Sequence, residues 1–509
     1  MFKALSFTKQ QEFLHNFGSK FKTSTQYFID KRNPPGNISA SPGVLPSEPN
    51  NMKHTYLVLA LLLLSVISSA QNKTATIDSM LHRTNRLGLF KGNVLMVDNN
   101  KVVYKGAIGF TDASQTVKLT TAYRFHIGSI AKEFNAVAIM MLKEQGKLSI
   151  DDKITKYLTN LPAWANQISI KNLLQYTSGV PDLKWKTVKN DADIWADMQK
   201  LEKLDFEPGT QYAYNNSNTF LQRRIIEKIT GLTFNEFVEQ KILRPCGMSN
   251  SLVDPDDKTL LMAKSYNNDF QQSSLIYPIT GWTAVTLDDF YKWEKALESF
   301  KLINPASTKE ILTPFAPNKQ CGLGGGSMEN NKLIIHEHDG TSLNYQALLT
   351  ANTALGRTVI LITNNRQNNL YDINRAIQAI LDGKPFQQPK KSVLAAFGKQ
   401  LDSLKGEQII AFYNNLKAKY AADYDFENEA LLNEIGYYFK SKNRIDDALL
   451  VFEYNTTLFP TSGNVFDSLG EAYYAKGDKE KALLNYKRSL QLDPTNNTAK
   501  AFIANMEKK

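Results

Sequence analysis

The sequence predicts an α/β domain followed by an all-α domain of helical repeats. Two short β-rich segments, Gly92–Asp98 and Lys101–Gly109, flank Asn99-Asn100, which is a hairpin signal. A long apolar segment that begins at Ser129 predicts a helix buried inside the first domain. Near the C-terminus, small and aromatic residues recur at a spacing of 34 residues, which is typical of stacked helix pairs.

Composition places the chain among ordinary globular proteins. It has 509 residues, of which 42% are hydrophobic and 22% charged, and such a length suits about three domains. The net charge of +10 is spread along the chain rather than concentrated in basic runs, so we expect a solvated surface and no nucleic-acid binding. No Cys-x-x-Cys pair, zinc-finger spacing or phosphate-binding glycine loop is present, so neither a metal nor a cofactor is expected.

Residues 52–70 predict a secretory signal peptide. Lys53 precedes an apolar run, and small residues follow it up to Ala70. A membrane anchor is the alternative, but about twelve apolar residues fall short of the ~20 that span a bilayer. Cleavage would leave no stable membrane span and would export the protein to the periplasm or the extracellular space, where disulfides are permitted. Residues 1–51 are then an over-extended start or a disordered leader.

Only two cysteines, Cys246 and Cys321, are present. At most one disulfide bridge can therefore form, and two free buried thiols are equally compatible with the sequence.

Residues 71–383 predict the α/β domain. After the hairpin comes the apolar helix, which runs from Ser129 to Gln145 and is closed by Gly146 in a C-cap position. Its apolar residues leave almost no polar face, so the helix belongs inside the domain. Further strands are predicted at Lys332–Ile335 and Arg357–Ile362.

Residues 384–392, rich in Pro, Gln and Lys, predict a linker to a helical domain over residues 393–509. The residues that recur 34 positions apart are Gly436 and Gly470, Ala448 and Ala482, Phe452 and Tyr486, and Pro460 and Pro494. This pattern resembles the tetratricopeptide repeat, and it predicts repeats at about 429–462 and 463–496 between a degenerate repeat and a capping helix. Such a domain would bind a protein or peptide partner, or brace its neighbour.

The pattern Ser-x-x-Lys occurs three times, at Ser6/Lys9, Ser19/Lys22 and Ser129/Lys132. Residues three apart share a helix face, so the lysine amine can approach the serine hydroxyl. If the lysine is desolvated its pKa falls, and it can accept the serine proton. Only the third match is followed by a buried helix that would desolvate the lysine. The ordinary alternative for this pair is a capping serine beside a solvated lysine.

Two other kinds of site fit the sequence less well. There is no Gly-x-Ser-x-Gly nucleophile elbow, which argues against an α/β-hydrolase. His336 and His338 would share one side of a strand, as metal ligands do, but no third ligand is apparent. No metal site is therefore predicted.

Several segments resemble the serine β-lactamase-related hydrolases, a family that includes class C β-lactamases, penicillin-binding-protein-like peptidases and esterases. They cover about residues 75–380. Tyr214-Asn215-Asn216 is similar to the Tyr-x-Asn motif and His338-Asp339-Gly340 to the Lys/His-x-Gly motif, at spacings of 85 and 124 residues in the family's order. Three flanking segments also resemble the family, namely Leu173–Asp182, Ile242–Met248 and Cys321–Gly326.

The resemblance implies an antiparallel sheet flanked by helices, with a helical subdomain, and a role for each motif residue. Ser129 would be the nucleophile that forms an acyl-enzyme, and Lys132 would hold or accept its proton. Tyr214 would be the partner acid/base, shifted towards phenolate by Lys132. The substrate-binding residues would be Asn216, which orients an amide or the lysine, His338 and Gly340 on the opposite strand, and Thr341, whose N–H would complete an oxyanion hole with that of Ser129. The ordinary alternatives are a core tyrosine, a turn asparagine and a strand histidine.

Three departures from the family pattern bear on the substrate: Asp339 stands where Thr or Ser is frequent, Asn215 where Ser is common and Tyr176 where His is common. A carboxylate at position 339, if it faces the site, would repel the acidic group of a β-lactam or of a peptide C-terminus. The prediction is an exported serine hydrolase of the esterase or peptidase type. The alternative is a non-catalytic ligand sensor or scaffold. The substrate, the repeat partner and the oligomeric state are left open.

Overall fold

The computed structural model describes residues 73–367 and 369–506. Contacts divide the chain into two units. The first takes Phe90–Phe386 with the described residues up to Ser79, and the second takes Met80–Leu89 with the described residues from Gln387 onward. The expected leader and signal peptide lie outside the described residues. Within the described ranges, none of the helices combines the length and the apolar character that crossing a bilayer requires.

Two antiparallel sheets organise the first unit. Its strands are β1 (Gly92–Asp98), β2 (Lys101–Ile108), β3 (Phe125–His126), β4 (Leu252–Val253), β5 (Thr283–Val285), β6 (Gly325–Glu329), β7 (Lys332–Ser342), β8 (Tyr345–Asn352) and β9 (Arg357–Thr363). The larger sheet has the order β2-β1-β9-β8-β7-β6, and the smaller has the order β3-β5-β4. All pairings within both sheets are antiparallel.

The predicted hairpin is confirmed. Asn99 and Asn100 both have positive φ, 51° and 60°, as the two central residues of a tight hairpin turn require. Strand β1 has the predicted bounds, and β2 ends one residue before Gly109. Strand β7 is much longer than the predicted Lys332–Ile335, because it continues to Ser342 in antiparallel pairing with β8.

Helices cover the larger sheet and form a subdomain of their own. They are α2 (Lys132–Glu144), α3 (Ile170–Leu174), α4 (Asp191–Gln199), α5 (Asn216–Thr230), α6 (Phe234–Val238), α7 (Leu287–Glu298), α8 (Pro305–Leu312) and α9 (Leu370–Leu381), whereas the preceding helix α1 (residues 73–86) is divided between the two units at Ser79. Helices α3 to α6 lie between α2 and β4 and correspond to the expected helical subdomain. Helix α2 is buried along nearly its whole length, as its apolar sequence predicts.

The second unit consists mainly of helices. They are α10 (Val393–Phe397), α11 (Glu407–Tyr420), α12 (Glu429–Ser441), α13 (Ile445–Leu458), α14 (Gly463–Lys476), α15 (Lys479–Leu492) and α16 (Asn497–Met506), with one short parallel pair, β10 (Lys391–Ser392) and β11 (Tyr424–Asp425). Glycines allow close packing within two successive helix pairs: Gly436 of α12 meets the Phe452 ring of α13, and Gly470 of α14 meets Tyr486 of α15.

Candidate active site

Ser129 lies in a 3-10 turn, Gly128–Ala131, that leads directly into α2. The predicted helix therefore begins three residues later than expected, at Lys132. Gly128 has φ +57°, a conformation that favours glycine, and a Cβ there would lie 2.5 Å from the backbone nitrogen of Thr341. The turn thus brings the serine to the end of a buried helix and close against β7.

Lys132 is buried and its amine contacts the serine. Its Nζ lies 2.8 Å from Oγ of Ser129, and the side chain is 3% exposed. Burial lowers its pKa to about 7, and the charge of Arg223 acts in the same direction. Nζ also sits 4.9 Å from the centre of the Tyr214 ring and 5.3 Å from that of Trp282. An amine of this kind can accept a proton at neutral pH.

Tyr214 joins the pair from the loop before α5. Its ring packs against Tyr176, with 4.6 Å between ring centres. Desolvation raises the pKa of the Tyr214 hydroxyl instead of lowering it towards phenolate, although interactions with Ser129 and Tyr176 oppose the rise and the residue as a whole is 37% exposed. Tyr214 is therefore a neutral phenol that can donate a proton or a hydrogen bond near the serine.

Asn216 is the first residue of α5, and its amide oxygen is left without a hydrogen bond among the described residues. This Oδ1 atom is buried, while the backbone N–H of Asn216 donates to Asp182 at 3.1 Å. Asn215 caps helix α5, because its side chain accepts a hydrogen bond from the N–H of Asn218. The side-chain amide of Asn215 also donates to the Val180 carbonyl at 2.8 Å. The asparagine that replaces the family's serine thus has a structural role here.

Gly340 and Thr341 of β7 cross the 3-10 turn that carries Ser129. A Cβ on Gly340 would lie 2.0 Å from the Ile127 carbonyl oxygen and 2.9 Å from the backbone nitrogen of Ser129. No side chain fits at this crossing, so the backbones of β7 and of the turn approach directly. The N–H groups of Ser129 and Thr341 flank the crossing, where the resemblance implies an oxyanion hole.

His338 shares a face of β7 with Gly340 but is held by a buried carboxylate. Its Nδ1 lies 2.6 Å from Oε1 of Glu133, and its ring is 2% exposed. A Cβ on Gly324 would lie 2.5 Å from Cγ of this ring, so the loop before β6 packs directly against the His338 ring. The predicted substrate-binding histidine is therefore part of a closed polar cluster, and its Nε2 has no hydrogen-bond partner among the described residues.

This His–Glu cluster, Glu133, Glu294, His336 and His338, was not predicted from the sequence. His336 lies between the two carboxylates, with Nδ1 2.5 Å from Glu294 and Nε2 3.2 Å from Glu133. Trp293 also donates to Glu133, at 2.6 Å. The available signal was Glu133 itself, because a glutamate in an otherwise buried helix needs a buried partner.

The two histidines bind carboxylates rather than forming part of a metal-ligand set. In the described ranges, no group of three or more His, Cys, Asp or Glu residues is arranged to hold a metal ion.

Asp339 lies on the face of β7 opposite His338. Its carboxylate accepts a hydrogen bond from the Tyr371 hydroxyl of α9 at 3.3 Å. Its charge nevertheless acts on the site, since it opposes the lowering of the Lys132 pKa and helps raise that of Tyr214. The carboxylate is half-buried and remains available to influence a charged substrate.

The antiparallel sheet, the helical subdomain and the contact between Ser129 and Lys132 define the β-lactamase/transpeptidase class of proteins. The sequence model of the family described as Beta-lactamase matches residues 74–383, more than half of the chain. The chain therefore belongs to the β-lactamase family, which includes serine hydrolases such as β-lactamases and amidases.

Individual relatives agree with this assignment. The chain is 25% identical over 410 residues to penicillin-binding protein 4* of Bacillus subtilis (strain 168), a match that covers 72% of this chain and 88% of that protein. The crystal structure of a penicillin binding protein from Bacillus halodurans superposes with a TM-score of 0.53 at 26% identity, covering 59% of this chain and 98% of that one. A class C β-lactamase superposes with a TM-score of 0.52 at 18% identity, covering 62% and 98%, and this likeness concerns the fold alone.

Proposed function

We propose that this protein is an exported serine hydrolase that transfers an acyl group to water through Ser129. The observation that carries the proposal is the desolvated Lys132 amine, 2.8 Å from the Ser129 hydroxyl. In the acylation step the amine accepts the serine proton while Oγ attacks the substrate carbonyl, and the leaving group departs with a proton. Water then attacks the acyl-enzyme, releases the acid and restores the serine.

Other groups of the site suit the same reaction. Tyr214, as a neutral phenol, can donate the proton that the leaving group needs. Asn216 offers an unsatisfied amide oxygen to a substrate N–H. The N–H groups of Ser129 and Thr341 are suitably placed to stabilise the oxyanion at the crossing of β7 and the turn. This set supports an enzyme over the alternative of a non-catalytic ligand sensor.

An ester or amide substrate is favoured over a β-lactam. The carboxylate of Asp339 disfavours a second negative charge near Lys132 and Tyr214. Penicillins carry such a charge, whereas simple esters and many amides do not. We therefore propose esterase or peptidase activity rather than true β-lactamase activity.

Labelling with a fluorophosphonate and with a fluorescent penicillin tests the proposal. We expect the wild-type protein to form a covalent adduct at Ser129 and to hydrolyse a chromogenic ester, and Ser129→Ala to do neither. Ser114→Ala, at an exposed position, is the matched control and should behave as wild type. A stoichiometric adduct without turnover of any ester or amide would favour the sensor, and no adduct with either probe would refute the mechanism.

The second unit is proposed to contain tetratricopeptide repeats that bind a protein or peptide. The helix pairs α12/α13 and α14/α15 start 34 residues apart, at Glu429 and Gly463, and this spacing supports the assignment. Export is proposed from the signal-like segment 52–70. Mass measurement of the secreted protein should then give Gln71 as its first residue, and retention of residues 1–70 would contradict export by cleavage.

A further inference from the structure

Glu133 directly follows the lysine of the active site and yet makes no contact with solvent. Its side chain is fully buried, and it has three polar neighbours. Trp293 donates to Oε2 at 2.6 Å, while His338 and His336 approach Oε1 at 2.6 and 3.2 Å. A buried carboxylate this fully surrounded is held in one orientation.

The charge of Glu133 determines which nitrogen of His338 carries a proton. Burial by itself would raise the pKa of Glu133, but the charges and the hydrogen bonds of His336 and His338 together lower it to about 2. An ionised carboxylate only accepts hydrogen bonds. Nδ1 of His338 must therefore be the donor, and Nε2 is the ring nitrogen that does not contact Glu133.

His336 and Glu294 balance the charge of this arrangement. Although burial disfavours its charged form, the two neighbouring carboxylates raise the pKa of His336 well above its ordinary value. His336 is thus an imidazolium between two carboxylates. Its Nε2 lies 3.2 Å from Oε1 of Glu133.

The geometry places His338 two residues along β7 from the position that crosses the nucleophile turn. Residues 338 and 340 lie on the same face of β7, about 7 Å apart along the strand, and a Cβ on Gly340 would touch the backbone of Ser129. On the facing element, Glu133 follows Ser129 by four residues, about one helical turn. The pair Glu133–His338 therefore runs parallel to the pair Ser129–Gly340.

We propose that Glu133 is a positioning residue for the reaction at Ser129, which acts by fixing the tautomer and the ring orientation of His338, the strand residue two positions before the Gly340 crossing. This proposal rests on the proposed hydrolase function. The carboxylate holds the imidazole through Nδ1, and Gly324 leaves just enough space on the other side of the ring. The arrangement follows the general principle that the partner of one imidazole nitrogen decides the role of the other.

Glu133→Gln and Glu294→Gln form a matched pair for the test. Both replace a buried carboxylate of the same cluster by an amide, but only Glu133 contacts His338. We expect Glu133→Gln to slow fluorophosphonate labelling of Ser129 and to lower kcat for a chromogenic ester at least tenfold, with KM nearly unchanged. In Glu294→Gln the labelling rate and kcat should stay within threefold of wild type, even if this variant lowers Tm as much as Glu133→Gln does. Equal losses in both variants, or none in Glu133→Gln, would overturn the proposal.

His338→Asn keeps the test decisive if Glu133→Gln does not fold. The asparagine amide can donate to Glu133 as Nδ1 does, but it has nothing in the place of Nε2. We expect this variant to fold with a Tm close to that of wild type and to lose labelling at least tenfold. Retained labelling would mean that Nε2 has no role.

A spectroscopic measurement separates this inference from the proposed function. Long-range ¹H–¹⁵N spectra of the wild-type protein, with its six histidines labelled and His338 assigned by His338→Asn, report which ring nitrogen carries a proton. We expect a proton on Nδ1 of His338, and an unprotonated Nδ1 would overturn the inference whatever the activity. Failure of the wild type to react with any acylating probe would instead refute the hydrolase.

Discussion

The Nζ atom of Lys132 lies 2.8 Å from Oγ of Ser129, at the junction between the 3-10 turn and the buried helix α2. Burial, assisted by the charge of Arg223, brings the pKa of the amine to about 7. The proton acceptor and the nucleophile are thus in direct contact, and the acceptor can lose its own proton near neutral pH.

The first prediction concerns pH. The rate constant for acylation of Ser129 should rise with pH through about 7 and then level off, because the amine accepts a proton only after losing its own. Chromogenic ester hydrolysis between pH 5 and 9 would measure it, with circular dichroism as the control for folding. Lys132→Arg, which stays charged over this range, should lose at least about 100-fold in activity. A flat profile in the wild type would contradict the role of Lys132.

Gly340→Ala should abolish most of the activity. The new Cβ would lie 2.0 Å from the Ile127 carbonyl oxygen, so β7 must move away from the serine turn and the Thr341 N–H must move with it. Loss of one oxyanion donor typically costs about 10²–10³ in rate. Gly325→Ala is the control, because its nearest atom would be a carbonyl oxygen at 3.6 Å. Comparable activity in the two variants would argue against this crossing as the oxyanion site.

Tyr214→Phe should reduce the rate without moving its pH dependence. Because burial raises the pKa of Tyr214, the phenol stays protonated across the working range and contributes a proton rather than accepting one. We expect a rate about 10–100-fold lower, with the rise near pH 7 retained. Tyr212→Phe serves as control, since that hydroxyl accepts a hydrogen bond from the Gln320 N–H at 3.3 Å. A rise displaced to another pH in Tyr214→Phe would assign the titration to Tyr214.

Asp339→Ser should broaden the substrate range towards anions. Removing the carboxylate lowers the pKa of Lys132 further, so the rise in activity should shift below pH 7. Acylation by a penicillin should also become about tenfold faster, because the variant no longer repels the penicillin carboxylate in a partly desolvated site. Tyr371→Phe, which keeps the carboxylate and removes only its 3.3 Å hydrogen bond, should leave the selectivity for neutral esters over penicillin unchanged. Slower acylation by penicillin in Asp339→Ser would contradict the argument.

The two helix-packing glycines of the second unit should respond differently to substitution. A Cβ on Gly436 would lie 2.5 Å from the buried Phe452 ring, whereas one on Gly470 would meet its neighbours at 3.2 Å. We expect Gly436→Ala to destabilise the fold by about 1–3 kcal/mol. Gly470→Ala should stay within about 1 kcal/mol of wild type, because the helical preference of alanine offsets the tighter contact. Thermal unfolding of the full chain monitors both, and the reverse order would be inconsistent with this packing.

Local sequence was sufficient to predict the hairpin and the buried helix α2. Asn99-Asn100 and the apolar run after Ser129 each depend on neighbours in the chain, so their patterns specify them directly. The 3-10 start of α2 and the full length of β7 depend on contacts between Gly128, Thr341 and Gly340, which are distant in sequence.

The site was predictable only in part for the same reason. Motif order indicated Ser129, Lys132 and Tyr214, but the pKa of Tyr214 depends on burial, which spacing does not reveal. The His–Glu cluster joins residues from α2, α7 and β7, and only the unusual Glu133 in an apolar helix pointed to it.

The two thiols have a practical consequence for redox chemistry. Cys246 and Cys321 are both buried and unbridged, and burial raises the pKa of each thiol to about 11. Only on the order of one molecule in 10⁴ is therefore a thiolate at pH 7, and the thiolate is the form that reacts with oxidants. These two thiols should therefore react slowly with oxidants at neutral pH. Folding of the first unit should need neither an oxidant nor a disulfide isomerase, because its two cysteines are not bridged.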